Sequence, residues 1–301
     1  MALPRCAESG LEVNVANEQK VLSMSRADYD KRGEVNWSTL KLIGKSPAHY
    51  MASLLRTVEA DTDPRKRGRA VHVAALEPDR FRSEYVVYPE RRAGKAWEKF
   101  VDDNAGREII TTDMHLDALA IAAAVKAIPA AAPLVSGGRS ELTVLWTFVR
   151  PDMGGLAGYS THCRSRLDFV ANVGAIVDLK TTRDASPAGF GREVARYGYH
   201  AQAAFYQDAY FAATGERLPY KFVAIEAAAP HVGAVYRMTD EAFELGRTQY
   251  VDYMDRLNLC RTENRWPGYA DGEVDVELPG YMLADDDENQ DLSSLLKMEA
   301  P

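Results

Sequence analysis

Cysteine is scarce in this chain: Cys6, Cys163 and Cys260 are its only copies, odd in number and far apart. They suggest reduced thiols rather than a disulfide framework, and no two have the short spacing of a zinc site. Any catalytic metal must then be held by oxygen and imidazole. A long apolar run is missing as well. Nothing approaches the roughly 18 residues of a membrane span, and the opening Met-Ala-Leu-Pro-Arg-Cys lacks a signal-peptide pattern. A cytoplasmic protein with no membrane partner is expected. Basic excess is absent, since the formal net charge is −8, which by itself speaks against nucleic acid. The charge is unevenly placed, however, with ten acidic side chains against Lys297 alone in residues 271–301. The rest carries 35 basic and 34 acidic residues, a net of +1, so a local phosphate-binding groove stays open to it.

What is present is an ordinary globular composition, 46% hydrophobic and 27% charged over 301 residues, enough for a substantial core. No internal repeat appears. The expected division is an irregular arm over 1–36, with strand-like alternation at Leu11–Val15, a domain over 37–281, and a disordered acidic tail over 282–301.

The most informative stretch runs from Arg166 to Thr182. Two β-branched, apolar segments flank Asn172-Val173-Gly174, the chemistry of a tight hairpin turn. With the turn centred on Val173, Asp168 falls opposite Asp178. Side chains alternate along a strand, which puts Asp168, Asp178 and Lys180 on one face and Leu167, Phe169, Val177 and Leu179 on the other. Directly opposed like charges destabilise a sheet, so something must neutralise them. A hard divalent cation does so, and Mg²⁺ holds one or two carboxylates while keeping waters for substrate oxygens. Lys180 then either orients or deprotonates an attacking water, or simply pairs with an aspartate; the hairpin alone leaves these readings open.

Ahead of this hairpin, the pattern from Ser38 predicts a short capped helix and a restart at Pro47. Ser38 is read as the N-cap, with an anion contact as its other reading. Pro64-Arg65-Lys66-Arg67-Gly68-Arg69 is a basic turn entering a helix that Pro78 closes; His72 lies one turn beyond Gly68, as a structural histidine or a ligand. Residues 85–110 interleave basic and aromatic groups and are read as an amphipathic loop over the core. An Ala-rich helix follows over 113–128. Glu141 opens a strand, either as an edge charge or as a further ligand. Strands at 141–149, 159–170 and 175–181 form an antiparallel meander. Beyond it come one long helix from Arg192 to Thr214, strands at 220–228 and 233–238, and a helix at 240–261. Gln202 stands out in the Tyr199, Tyr206, Tyr210 stripe because a buried amide needs partners.

These residues together resemble the PD-(D/E)XK nuclease superfamily, in its Gln-x-x-x-Tyr branch, and most closely the phage exodeoxyribonuclease VIII (RecE-like) family. The carriers are Ser46-Pro47-Ala48-His49-Tyr50, Gly68-Arg69-Ala70-Val71-His72, Asp178-Leu179-Lys180-Thr181-Thr182 and Tyr199-His200-Ala201-Gln202-Ala203-Ala204-Phe205-Tyr206. Val177 stands where the family name has proline. The resemblance implies an α/β restriction-endonuclease-like fold, a central mixed sheet flanked by helices. It implies metal binding by Asp168, Asp178, His72 and the Leu179 carbonyl, with Glu141 as the additional acidic position. Lys180 becomes the catalytic lysine, and Gln202 and Tyr206 hold the site. Arg166, Ser38, Thr181 and Arg69 are the candidates for phosphate contact. The implied reaction is Mg²⁺-dependent hydrolysis of duplex DNA from its 5′ end, with Mn²⁺ substituting, leaving 3′ single strands for a RecT-like annealing protein. A homo-oligomeric ring is implied as well.

Overall fold

A computed structural model describes residues 20–55, 62–152 and 157–278. The chain divides into a compact unit ending at Trp266 and a second unit from Pro267. The described part of the second, 267–278, holds neither helix nor strand. The expected strand at Leu11–Val15 and the acidic tail 282–301 lie outside the described residues.

Eight strands are described: β1 (Lys20–Ser23), β2 (Tyr85–Val87), β3 (Glu108–Ile110), β4 (Gly138–Arg150), β5 (Tyr159–Ala171), β6 (Ala175–Thr182), β7 (Tyr220–Glu226) and β8 (Gly233–Tyr236). Six form one mixed sheet in the order β1-β4-β5-β6-β7-β8. All neighbours are antiparallel except β6 and β7. A parallel pair needs a crossover, and here it runs through helices Pro187–Tyr197 and Tyr199–Thr214. Segment 20–23, expected within an arm, is thus an edge strand of the sheet.

Two apolar layers cover the sheet. One gathers Leu167, Ile176, Phe205 and Phe222 with helices Tyr199–Thr214 and Asp240–Glu263. The other gathers Phe169, Val177, Leu179 and Val223 with helices Asp63–Leu76 and Thr112–Ala127. Phe205 and Phe222 are fully buried, each contributing about 1.5–3 kcal/mol through burial. No helix among the described residues is long and apolar enough to cross a membrane.

The hairpin has the expected centre. Phe169 pairs with Val177 and Ala171 with Ala175, and Gly174 closes the three-residue turn in the left-handed region at φ 77°. The expected alternation fails at one place. Leu167 packs in the first layer while Phe169, two residues on, packs in the second. The reversal falls where the β4–β5 ladder skips Glu141 and Asp168, and Glu141 is held at φ 50°, a conformation that costs a non-glycine residue about 1–2 kcal/mol.

Three further expectations are corrected. The cap of helix Trp37–Leu40 is Asn36, whose side chain accepts from the Thr39 N–H at 3.1 Å, so Ser38 lies exposed within the helix. The long helix breaks at Gly198, which adopts φ 68° between Tyr197 and Tyr199. Residues 85–110 are no loop: β2 and β3 pair in parallel around helix Gly94–Asp103.

Candidate active site

The β5–β6 pairing stops at Phe169↔Val177, and β6 continues beside β7 instead. Asp168 and Asp178 are the next residue on each strand, at the fork where the two part. Their carboxyl groups still lie close enough for each charge to act on the other. From the second layer, helix Asp63–Leu76 delivers His72, whose Nδ1 lies 3.5 Å from Asp168 Oδ2. The Leu179 carbonyl faces the same imidazole.

From the first layer come the partners of β6. Lys180 Nζ lies 2.7 Å from Asp178 Oδ1 and 3.5 Å from Gln202 Oε1. It also sits 4.5 Å from the centroid of the Tyr199 ring, a cation–π contact. Gln202 in turn is hydrogen-bonded to Tyr206, one helical turn on. The Tyr220 hydroxyl, from β7, donates to Asp178 Oδ2 at 2.8 Å. One oxygen of Asp178 is therefore fixed by a neutral donor while the other faces the ammonium.

Burial, and then the neighbouring Asp178 charge, pushes the Asp168 carboxyl well above its ordinary value of 3.8. Burial would lower the Lys180 pKa, but Asp178 and Asp168 outweigh it and raise it, so Lys180 stays an ammonium. Burial and then Lys180 lower the His72 pKa, leaving a neutral imidazole suited to ligation. Burial and then Asp178 hold the Tyr220 phenol up, so it remains a donor.

Asp168 Oδ2 and Asp178 Oδ1 are buried and met by no neutral donor: the first faces His72 Nδ1 at 3.5 Å and the second the Lys180 ammonium at 2.7 Å. Solvent still reaches 24% of the Asp168 side chain and 27% of His72, so the pair is open on one side. Two carboxyl oxygens, a neutral imidazole and a carbonyl make a hard donor set that fits a divalent cation of the Mg²⁺ type. Among the described residues no three His, Cys, Asp or Glu side chains stand together as a preformed metal cluster. A Mg²⁺ site needs only one or two carboxylates and completes its shell with water.

Other expected residues are engaged elsewhere or face other surfaces. Arg166 Nε is ion-paired with Glu141, and its Nη1 donates to the Met24 carbonyl at 3.0 Å. Glu141 is thus engaged by Arg166, although its charge is still felt at Asp168 and His72. Arg69 is exposed, with Nη2 3.9 Å from Glu108 Oε1. Thr181 points to the second-layer side of β6, away from Lys180, and lines a hollow there. Ser38 is exposed on helix Trp37–Leu40, capped by Asn36, so its side chain is not taken up by the cap.

Three tyrosines escaped the sequence reading. Tyr199 appears there only as one ring of a stripe and the first residue of a motif, Tyr220 carries no motif, and Tyr29 lies in the expected arm. The guanidinium carbons of Arg26, Arg164 and Arg166 stand 5.9, 4.4 and 5.5 Å from the Tyr29 ring centroid. Arg164 is 7% exposed, and its Nε and Nη1 have no hydrogen-bond partner. Three guanidinium groups therefore gather around this one ring.

Opposed carboxylates with a lysine two residues on, at a strand fork in a mixed sheet between helical layers, define a PDDEXK-like centre. The chain belongs to the family described as the PDDEXK-like domain of unknown function DUF3799, whose model matches residues 36–277. Among solved structures it is similar to the "Putative exonuclease" from Eubacterium rectale. The TM-score is 0.56 at 15% identity, over 87% of this chain and 98% of that one. At that identity the likeness concerns the fold. No curated protein matches the chain significantly.

Proposed function

We propose that this chain is a metal-dependent exodeoxyribonuclease of the RecE-like kind, hydrolysing duplex DNA from the 5′ end to leave 3′ single strands. One observation carries the hydrolytic part: two neighbouring carboxyl groups meet with only an ammonium and an imidazole facing their inner oxygens, at an opening in the protein. Such an arrangement is costly to a fold and suits a bound cation. Asp168, Asp178, His72 and the Leu179 carbonyl would hold Mg²⁺, or Mn²⁺ in its place. The bound ion supplies charge stabilisation on the phosphate and a more acidic water.

The chain's own residues do the rest. Lys180, kept an ammonium by the two acids beside it, would orient the water and offset phosphate charge. Gln202 and the Tyr199 ring fix its position, while Tyr206 fixes Gln202. Tyr220 occupies Asp178 Oδ2 and leaves Oδ1 facing the Lys180 ammonium.

Polarity, the duplex-end substrate, the RecT-like annealing partner and the ring of identical subunits rest on the resemblance to the RecE-like family. Digestion of end-labelled linear duplex and closed circles, with and without Mg²⁺, tests the reading. Mg²⁺-dependent release of nucleotides from the 5′ end of linear DNA alone supports it. Cutting of circles would replace it with an endonuclease, preference for single strands with a single-strand nuclease, and binding without turnover with a DNA scaffold.

A further inference from the structure

Helix Asp63–Leu76 carries a glycine in its interior, Gly68, where glycine is the least favourable residue after proline. Nothing in the fold asks for it. A Cβ built on Gly68 meets no atom within 4 Å, so no neighbouring element needs the missing side chain. The space before it is a hollow of about 380 Å³, walled by Pro64, Val71, Ile121 and Ala227 with Thr181 at its side. That volume lies in the roughly 300–1,000 Å³ range of small-molecule sites.

The hollow leads toward the acidic centre along the helix: Gly68 precedes His72 by one helical turn, a rise of about 6 Å, while Thr181 lines it from the far side of the strand that carries Lys180. Its chemistry does not suit a phosphate. The walls are apolar, Asp63 brings a negative charge, and Arg67 is already ion-paired with Asp117. A flat neutral group suits it better.

We propose that this hollow receives the sugar and base of one nucleotide next to the scissile phosphate. Gly68 is the specificity-determining position that keeps the floor clear, letting the nucleotide lie against the helix backbone. The inference rests on the nuclease reading above and names a subsite for its substrate.

Gly68→Leu and Gly68→Ala test it, because both are better helix formers than glycine and project into open space. Both variants should melt at or above the wild-type temperature. Gly68→Leu should raise the KM for linear duplex at least tenfold with kcat changed less, and Gly68→Ala should do so to a smaller extent. Binding of dAMP, followed by calorimetry, should occur with the wild-type chain and be lost in Gly68→Leu. A Gly68→Leu enzyme with wild-type KM and undiminished dAMP binding would overturn the proposal. If Gly68→Leu does not fold, Gly68→Ala and Thr181→Leu carry the same two readouts. If the wild-type chain digests no DNA, the nuclease reading fails, and dAMP binding alone then decides whether the hollow is a nucleotide site.

Discussion

Two buried acidic centres in this chain are built on opposite plans. Asp208, 3% exposed, is fully answered: Arg247 grips it with Nε at 2.8 Å and Nη2 at 2.9 Å, Arg217 Nη1 donates at 2.9 Å, and the Tyr250 hydroxyl at 2.7 Å. Burial opposes its charge, but the Arg247 contacts and those of Tyr250 and Arg217 prevail, and its pKa is lowered. Asp168 and Asp178 are answered only in part, and the Asp168 pKa is raised. A carboxylate that serves the fold is closed off by its own chain. One that serves chemistry leaves an oxygen free and accepts the cost.

The contrast can be broken at several points. The largest effect is expected at the open centre. Asp178→Asn and Lys180→Ala should each lower Mg²⁺-dependent digestion of linear duplex by at least about 100-fold, with the circular dichroism spectrum of the wild type. Undiminished digestion would show that the two centres do not differ in kind. Asp208→Ala should do the reverse. It strands Arg247 in the interior, costing about 3–5 kcal/mol in a denaturant melt, while activity per folded molecule is unchanged.

Tyr220→Phe keeps the ring packing and removes only the donor to Asp178 Oδ2. Metal affinity, titrated by calorimetry without DNA, should fall by about 10–100-fold, with a melting temperature close to wild type. An unchanged affinity would leave Tyr220 as ordinary core.

The smallest effect concerns pH. A carboxyl whose pKa is raised by folding favours the folded state most below its unfolded value, and that stability is lost as pH rises through the folded value. In chelator, the melting temperature of the wild type should therefore fall relative to Asp168→Asn as pH climbs past 3.8 and through the Asp168 titration. Excess Mg²⁺ should close the gap. A gap that stays constant with pH would mean that the opposed charges impose no strain.

The sequence makes the local parts of this design legible and hides the long-range ones. The hairpin register follows from Asn172-Val173-Gly174 and the flanking alternation, because turn and strands are adjacent in the chain. The face of Leu167 was misread, since alternation assumes an unbroken pleat and the reversal at Asp168 depends on Glu141, across the ladder. Tyr220 could not be found, because it meets Asp178 only after the crossover lays β7 beside β6. Choosing Ser38 over Asn36 was an error between two residues with the same capping chemistry, decided by which one stays extended. Gly198 ends one helix and opens the next in a stretch whose periodicity carries straight through it.

The three-residue turn at Asn172–Gly174 also bears on when this molecule meets its own difficulty. Loop closure over so short a span is fast, on the order of microseconds for a hairpin. The two acids are therefore pressed together as soon as their strands zip, before the distant crossover helix can dock. Lys180 is encoded on the same hairpin, so its positive charge arrives with the collision and not after it.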